Sequence, residues 1–303
     1  MSDKKAAVFI MLGQSNATGQ SARMTQEDMI VEPMKNVFGL HCRENQSYDI
    51  SELVWSGYTS HGMNLGELQD HTYSISNCLA LLWQKAVDQG AQLPDLHIIH
   101  ISIGGQSISP DELMLKDEWK RDMWNPDREK HMFPGRQEDG VDISLYPLAK
   151  HIFSLVDDSF RKLGKDYEVI GMHWRGGESE CSIKRELLEE YLIDLYDRFF
   201  DGLYDSLGCI PPVVLYALAC DTCIMTQNPS GEWIHGYHYV NEVFHHMSRV
   251  HENMSVFDVT KYPGYDPTVP TRGIFQEDLC HFLSEVNQWV TEQIFAEFQK
   301  KYC

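Results

Sequence analysis

The sequence has few positive charges and no long hydrophobic run. Lysine and arginine total 25 against 45 aspartates and glutamates, which gives the 303-residue chain a formal charge of −20. Such a surface repels phosphate backbones and anionic headgroups, so neither nucleic acid nor a membrane is expected as a partner. No stretch approaches the ~20 apolar residues that span a bilayer, and no linker, repeat or low-complexity tract divides the chain. We therefore expect a single domain over residues 1–303.

A secretory signal is also missing, because the first residues lead directly into an apolar run, and this predicts a cytoplasmic protein. The eight cysteines are scattered, and in that compartment we expect reduced thiols. Cys220 and Cys223 have redox or zinc spacing, but no second pair completes a four-ligand site. The histidines between His235 and His251 also lack a complete metal-binding motif. The sequence thus predicts no metal and no other cofactor, and it indicates no oligomeric state.

Apolar strand-like segments alternate with helical segments along most of the chain. This alternation predicts right-handed crossovers and a parallel sheet that is covered by helices on both faces. We expect an α/β protein, a three-layer α/β/α sandwich with a mostly parallel five-stranded sheet. The predicted strands are residues 6–12, 96–103, 168–174, 213–218 and 255–259, and the predicted helices are residues 72–88, 145–163, 183–207, 239–252 and 282–300.

Two segments are too long for simple connections. Residues 19–64 have few helical or strand signals apart from a short extended stretch at Leu53–Ser56, and residues 109–142 are crowded with charged and aromatic side chains. Long loops in compact domains are commonly functional, so we expect both to form a rim over the carboxyl edge of the sheet. An equally favoured alternative is that both segments are surface loops without a catalytic role. Trp119 and Trp124 either stack on a sugar ring or pin the second loop down.

A serine, Ser15, follows the first predicted strand and the glycine that ends it, Gly13. Glycine allows a sharp turn at the strand end, where ligands bind in open α/β sheets. Asp278 and His281 follow the last predicted strand and therefore lie at the same edge. The Asp278 carboxylate can orient one ring nitrogen of His281 while the other removes the Ser15 proton. The three residues together predict nucleophilic catalysis, although each alone is more often a cap or turn residue.

Two further segments with paired glycines close predicted strands at that edge. Gly104-Gly105-Gln106-Ser107-Ile108 follows the second strand, and Trp174-Arg175-Gly176-Gly177-Glu178-Ser179 closes the third. Paired glycines let the backbone approach a ligand closely, and a free N–H there can hold an oxyanion. A tight turn without a catalytic role is the alternative for a lone glycine pair.

These segments occur in the order of the SGNH hydrolase superfamily, and the chain resembles its sialate O-acetylesterase and carbohydrate esterase family six branch. That branch has Gly-Gln-Ser-Asn, Gly-Gly-x-Ser-Ile, Trp-x-Gln-Gly-Glu and Asp-x-x-His. The resemblance implies a flavodoxin-like α/β/α fold and a metal-free serine esterase that removes acetyl groups from carbohydrates. It implies that Ser15 is the nucleophile, His281 the base and Asp278 the acid that orients the base.

The resemblance also implies an oxyanion hole that includes the N–H groups of Ser15 and Gly105. In the family a glutamine side chain completes it, but here Gly176 stands at that position. Loss of one such donor typically lowers turnover about 10²–10³-fold. The backbone N–H of Gly176 or Gly177, an ordered water or Arg175 can take its place; otherwise the protein is slow, or has lost its activity and kept the pocket.

Five residues of these segments are expected to contact substrate or to support the site: Gln14, Asn16, Gln106, Arg175 and Glu178. Support is favoured for Glu178, with Gln14 or Asn16 as hydrogen-bond donors to its carboxylate. The predicted partner is a small acetylated carbohydrate of the sialic acid or xylo-oligosaccharide type. The alternatives are a catalytically weakened or inactive carbohydrate-binding protein with an esterase fold, and an esterase for another acyl class.

Overall fold

The computed structural model describes residues 5–20, 22–67, 71–110, 123–127, 144–182, 188–218, 226–227, 233–234, 237–266, 268, 273–278 and 280–302. The strands in these ranges are β1 (Ala6–Gly13), β2 (Val37–Leu40), β3 (Trp55–Gly57), β4 (Leu96–Ser102), β5 (Tyr167–Arg175), β6 (Val213–Ala217), β7 (Thr226–Gln227), β8 (Trp233–Ile234) and β9 (Met254–Asp258). The helices are α1 (Ser15–Thr18), α2 (Cys42–Asn45), α3 (Ile75–Asp88), α4 (Leu145–Ser154), α5 (Val156–Leu163), α6 (Leu188–Leu207), α7 (Tyr237–Val250) and α8 (Ser284–Tyr302).

The main sheet has the strand order β3-β2-β4-β1-β5-β6-β9, and every neighbouring pair except β2–β3 is parallel. The central strand β1 is buried along its whole length, because it has a strand on each side and helices on both faces. That burial explains its uninterrupted apolar sequence. The α/β class and the mostly parallel sheet predicted from the sequence are confirmed.

The predicted count of five strands is wrong, since seven strands form this sheet within the described residues. The two additional strands, β2 and β3, lie in the segment 19–64 that was expected to be a loop, and β3 overlaps the short extended stretch predicted at Leu53–Ser56. Both are short, and β2 contains Gly39, where the Tyr58 ring and the Met63 sulfur occupy the space of a side chain. β2 is defined by pairing with β4, which is distant in sequence, and β3 by antiparallel pairing with β2. Local periodicity therefore gives little signal for β2.

Helices pack on both faces of the sheet and enclose two hydrophobic cores. One core includes Trp174 of β5 with residues of α4, α6 and α7. The other includes Phe9 of β1 with residues of α3 and α8. The helix predicted at residues 145–163 is divided at Leu155 into α4 and α5. In the part of the chain that the structure describes, no helix is both long and apolar enough to cross a membrane.

The register of the central strands brings three strand ends together. Gly13, the last residue of β1, is paired with Ser102 of β4 on one side and with Arg175 of β5 on the other. Because these strands are parallel, the segments that follow them leave the sheet side by side at its carboxyl edge. This edge is where open α/β sheets bind ligands, and the candidate site is built there.

Candidate active site

The turn that carries Ser15 requires glycine at its first position. Gly13 has φ of 145°, and a Cβ atom there would lie 2.1 Å from the carbonyl oxygen of Arg175. The N–H of Gln14 donates to that same carbonyl oxygen at 3.0 Å. Ser15 then begins the short helix α1 and is half-buried. The close contact between β1 and β5 therefore fixes where the serine leaves the sheet.

Asp278 and His281 form a hydrogen-bonded pair. Nδ1 of His281 lies 2.7 Å from Oδ2 of Asp278, and the N–H groups of Cys280 and His281 both donate to Oδ1 at 3.0 Å. Burial raises the pKa of Asp278, but the hydrogen bonds from the backbone and ring of His281 and from Cys280 outweigh it and hold this pKa below its usual range. The ionised carboxylate fixes the imidazole by Nδ1, so Nε2 is the nitrogen left for proton transfer.

Asn16 holds the histidine segment beside the serine turn. Its Nδ2 donates to Oε1 of Glu178 at 2.8 Å and to the carbonyl oxygen of Cys280 at 3.3 Å, while its Oδ1 accepts from the N–H of Phe282 at 3.2 Å. The residue after Ser15 thus bonds both neighbours of His281. None of the described hydrogen bonds joins Ser15 directly to His281. Such contacts are often long in unliganded sites and shorten in the reacting complex.

The two glycines after β4 differ in their relation to Ser15. A Cβ atom at Gly104 would lie 3.4 Å from the Cβ of Ser15, so this glycine borders the nucleophile turn. The N–H of Gly104 points to Oε2 of Glu67 at 3.4 Å. Gly105 has φ of 72° and open space around the position of its missing side chain. Gln106 is buried, and its Oε1 atom has no hydrogen-bond partner.

Arg175 is buried on the face of the sheet covered by α3 and α8. Its Nη1 donates to Oδ1 of Asn287 at 2.7 Å, and its guanidinium carbon lies 4.3 Å from the ring centroid of Phe282. Burial lowers its pKa to about 10, which leaves it protonated at neutral pH. The contact with Phe282, next to His281, is that of a supporting residue. None of these described contacts places Arg175 at an oxyanion.

Gly176, which stands where the resembled esterases have glutamine, has no room for a side chain beside Trp174. A Cβ atom at Gly176 would lie 2.9 Å from Cζ2 of the Trp174 indole. Trp174 is buried and packs edge-to-face on Trp124 and Phe199, with centroid distances of 5.4 and 5.0 Å. Trp124 also donates from Nε1 to the carbonyl oxygen of Gly13 at 3.1 Å, so this side chain bonds the end of β1 rather than facing a ligand. Trp119 lies outside the described residues, as does most of the predicted loop 109–142.

A buried carboxylate that sequence analysis missed, Glu180, joins the other segments. Its Oε1 accepts from the N–H groups of Ile108 at 2.7 Å and Ser109 at 3.4 Å, and its Oε2 lies 3.5 Å from Nε2 of Gln14. Gln14 is itself buried and accepts from the Ser179 hydroxyl at 3.2 Å. The sequence signal that could have identified Glu180 is an acidic residue that shortly follows a buried strand, here β5, and its turn.

The described residues contain no candidate metal site. Among them, no three or more histidine, cysteine, aspartate or glutamate side chains are grouped so that they could hold a metal ion. His251 instead lies 2.8 Å from Asp197. Cys220, Cys223 and His235 lie outside the described residues.

Solved structures provide the comparison for this fold. No protein-family model and no curated protein matches the sequence. A protein from Arabidopsis thaliana is 15% identical with a TM-score of 0.59, and the alignment covers 99% of this chain and 100% of that one. NanS is 12% identical with a TM-score of 0.58, covering 100% and 98%. Est24, a carbohydrate acetylesterase from Sinorhizobium meliloti, is 10% identical with a TM-score of 0.42, covering 97% and 99%.

These likenesses concern the fold. The chain shares its fold with the Arabidopsis thaliana protein and with NanS, and the α/β/α class predicted from the sequence is confirmed. A fold does not determine an activity, so activity and substrate depend on the site itself.

Proposed function

We propose that the protein is a serine esterase that removes O-acetyl groups from a carbohydrate through an acyl-enzyme. The observation that carries this proposal is the double contact of Asn16 with Cys280 and Phe282, which holds the Asp278–His281 pair beside Ser15. A nucleophile, a base and an orienting acid on converging segments are the elements of acyl transfer.

In the proposed reaction, Oγ of Ser15 attacks the acetyl carbonyl carbon while Nε2 of His281 takes the hydroxyl proton. The backbone N–H groups of Ser15 and Gly105 stabilise the oxyanion. The intermediate collapses, the C–O bond to the sugar breaks, and His281 returns the proton to the leaving sugar oxygen. A water then attacks the acetyl-enzyme as His281 removes its proton. Acetate leaves, and the proton returns to Ser15.

The substrate class is the finer part of the proposal. It is supported by the resemblance of the four sequence segments to the sialate O-acetylesterase and carbohydrate esterase family six branch, and so points to small acetylated sugars of the sialic acid or xylo-oligosaccharide type. The cytoplasmic setting expected from the sequence favours small sugars over intact polymers. The contacts of Gln14, Arg175 and Glu178 favour support over substrate binding for these three residues.

The test combines turnover with labelling of the nucleophile. We expect the wild type to hydrolyse a chromogenic acetate ester, with rates that fall as the acyl chain lengthens, and a serine-directed fluorophosphonate to modify Ser15. Ser154→Ala is the matched control, since Ser154 is an exposed serine at the end of α4, and it should change neither result. Absence of both labelling and turnover, with chromogenic and sugar acetates alike, would exclude the esterase.

A second candidate function is a carbohydrate-binding protein with an esterase fold and little or no turnover. The packing of Trp174 beside Gly176 favours it, because the Trp174 indole occupies the space that a side chain at position 176 would need. Under this alternative, calorimetry detects binding of acetylated sugars that are not hydrolysed. Turnover that depends on Ser15 would exclude it.

The Gly176→Gln variant tests whether the missing donor can be restored. We expect no gain in turnover and a loss of about 1–3 kcal/mol in the free energy of unfolding, because the new Cβ atom forces the Trp174 indole from its packed position. Denaturant unfolding and kcat for an acetate ester are the measurements. Gly176→Ala isolates the effect of the Cβ atom. A tenfold or larger rise in kcat for glutamine alone would contradict this expectation.

A further inference from the structure

Glu180 lies at the junction of three segments of the candidate site. We propose that its carboxylate positions the β4 loop, residues 103–109, against the serine turn, and thereby the oxyanion-binding backbone; this rests on the esterase activity proposed above. One oxygen of Glu180 accepts from Ile108 and Ser109 in the β4 loop, and the other faces the Gln14 amide next to Ser15. Glu180 touches no reacting atom in this arrangement, so it is a positioning residue.

The hydrogen-bond pattern around Glu180 suits the ionised form. Its neighbours present three donors, which are two backbone N–H groups and the NH₂ of Gln14. An ionised carboxylate only accepts hydrogen bonds, whereas a protonated one carries its own O–H. If the proton is bound to the oxygen that faces Gln14, the new O–H group and the NH₂ group of Gln14 are both donors and cannot form a hydrogen bond with each other. The connection between the β4 loop and the serine turn is therefore complete only when Glu180 is charged.

The environment of Glu180 shifts the pKa of its carboxyl group towards neutrality. Burial raises its pKa to about 7, although the N–H groups of Ile108 and Ser109 act in the opposite direction. The described titratable groups whose charges interact with it are Glu178, two residues before it, and Tyr196 of α6. Burial raises the pKa of Tyr196 far above neutrality, so that residue stays uncharged. Acidification below pH 7 hence neutralises Glu180 and loosens the β4 loop.

Loosening of the β4 loop affects the reacting centre. Gly104 borders Ser15, and Gly105 follows it as the proposed oxyanion donor. A displaced donor weakens stabilisation of the transition state while leaving ground-state binding of the substrate largely intact. The predicted signature of losing Glu180 is a lower kcat with little change in KM.

The experiment compares wild type, Glu180→Gln and Glu180→Asp in hydrolysis of an acetate ester across pH 5 to 9. Glu180→Gln keeps the size of the side chain and removes the charge, so we expect kcat to fall about 10–100-fold with KM changed less than about threefold. The loss of activity in acid should be steeper in the wild type than in Glu180→Gln, because only the wild type can protonate Glu180. Glu180→Asp keeps the charge and should recover part of kcat.

Hydrogen exchange supplies a measurement that is independent of activity. The amides of Ile108 and Ser109 should exchange about tenfold faster in Glu180→Gln, while those of β9 stay unchanged. Glu292→Gln, an exposed change on α8, is the control and should match the wild type in both measurements. Unchanged exchange at Ile108 and Ser109, or acid profiles of equal steepness, would overturn the proposal. A wild type without turnover would remove the catalytic role of Glu180, whereas faster exchange would still show that it anchors the β4 loop.

Discussion

Replacement of Ser15 by alanine is expected to lower kcat for acetate esters by about 10⁴–10⁶-fold, the range seen when a hydrolase loses its nucleophilic serine. The variant lacks the oxygen that attacks the acyl carbon in the proposed mechanism. Residual activity comes from the backbone donors and from His281 acting on water. The free energy of unfolding should change by no more than about 0.5 kcal/mol, because the half-buried Ser15 side chain caps no helix.

The measurement pairs kcat with sugar binding by calorimetry. Ser15→Ala should still bind acetylated sugars, since the surrounding backbone and the Asp278–His281 pair are unchanged. Unaltered turnover in this variant would refute the acyl-enzyme mechanism. Equal and very low turnover in both proteins, with binding retained, would instead favour the carbohydrate-binding alternative and assign a decisive role to Gly176.

The features that the sequence predicts well are set by local chemistry. An uninterrupted apolar run indicates a strand buried on both faces, and β1 has that burial. A glycine before Ser15 indicates a turn that other residues cannot make, which the contact of Gly13 with Arg175 explains. The spacing of Asp278 and His281 lets one carboxylate bond both a ring nitrogen and a backbone N–H. The roles of these residues in catalysis stay predictions.

The features that sequence analysis missed depend on contacts between distant segments. The strand β2 is defined by pairing with β4, and its own four residues are too few to show a period. Glu180 gains its significance from Ile108, 72 residues earlier in the chain. The indole beside Gly176 follows from the packing of Trp174 on Trp124 and Phe199. Such arrangements are set by the register and packing of whole elements, which a single sequence does not display.

Replacement of Gly13 by alanine is expected to have the largest effect on stability, a loss exceeding about 4 kcal/mol in the free energy of unfolding. Two costs combine: a backbone at φ of 145°, which L-residues rarely adopt, and a Cβ atom 2.1 Å from the Arg175 carbonyl oxygen. To relieve this clash, β1 and β5 would have to separate at the centre of the sheet, and the hydrogen bond from the N–H of Gln14 to the Arg175 carbonyl oxygen would be lost.

Gly90→Ala separates the two costs that Gly13→Ala combines. Gly90 has φ of 94°, but no atom lies within 4 Å of the place a Cβ atom would occupy, so alanine there bears backbone strain alone. That strain costs about 1–3 kcal/mol. For both variants, urea unfolding measures the free energy of unfolding, and the yield of soluble protein is compared with that of the wild type. A similar loss in both would mean that backbone conformation alone determines the need for glycine. A much larger loss at Gly13 would show that the close approach of β1 and β5 does so, and that the position of Ser15 is fixed by the sheet itself.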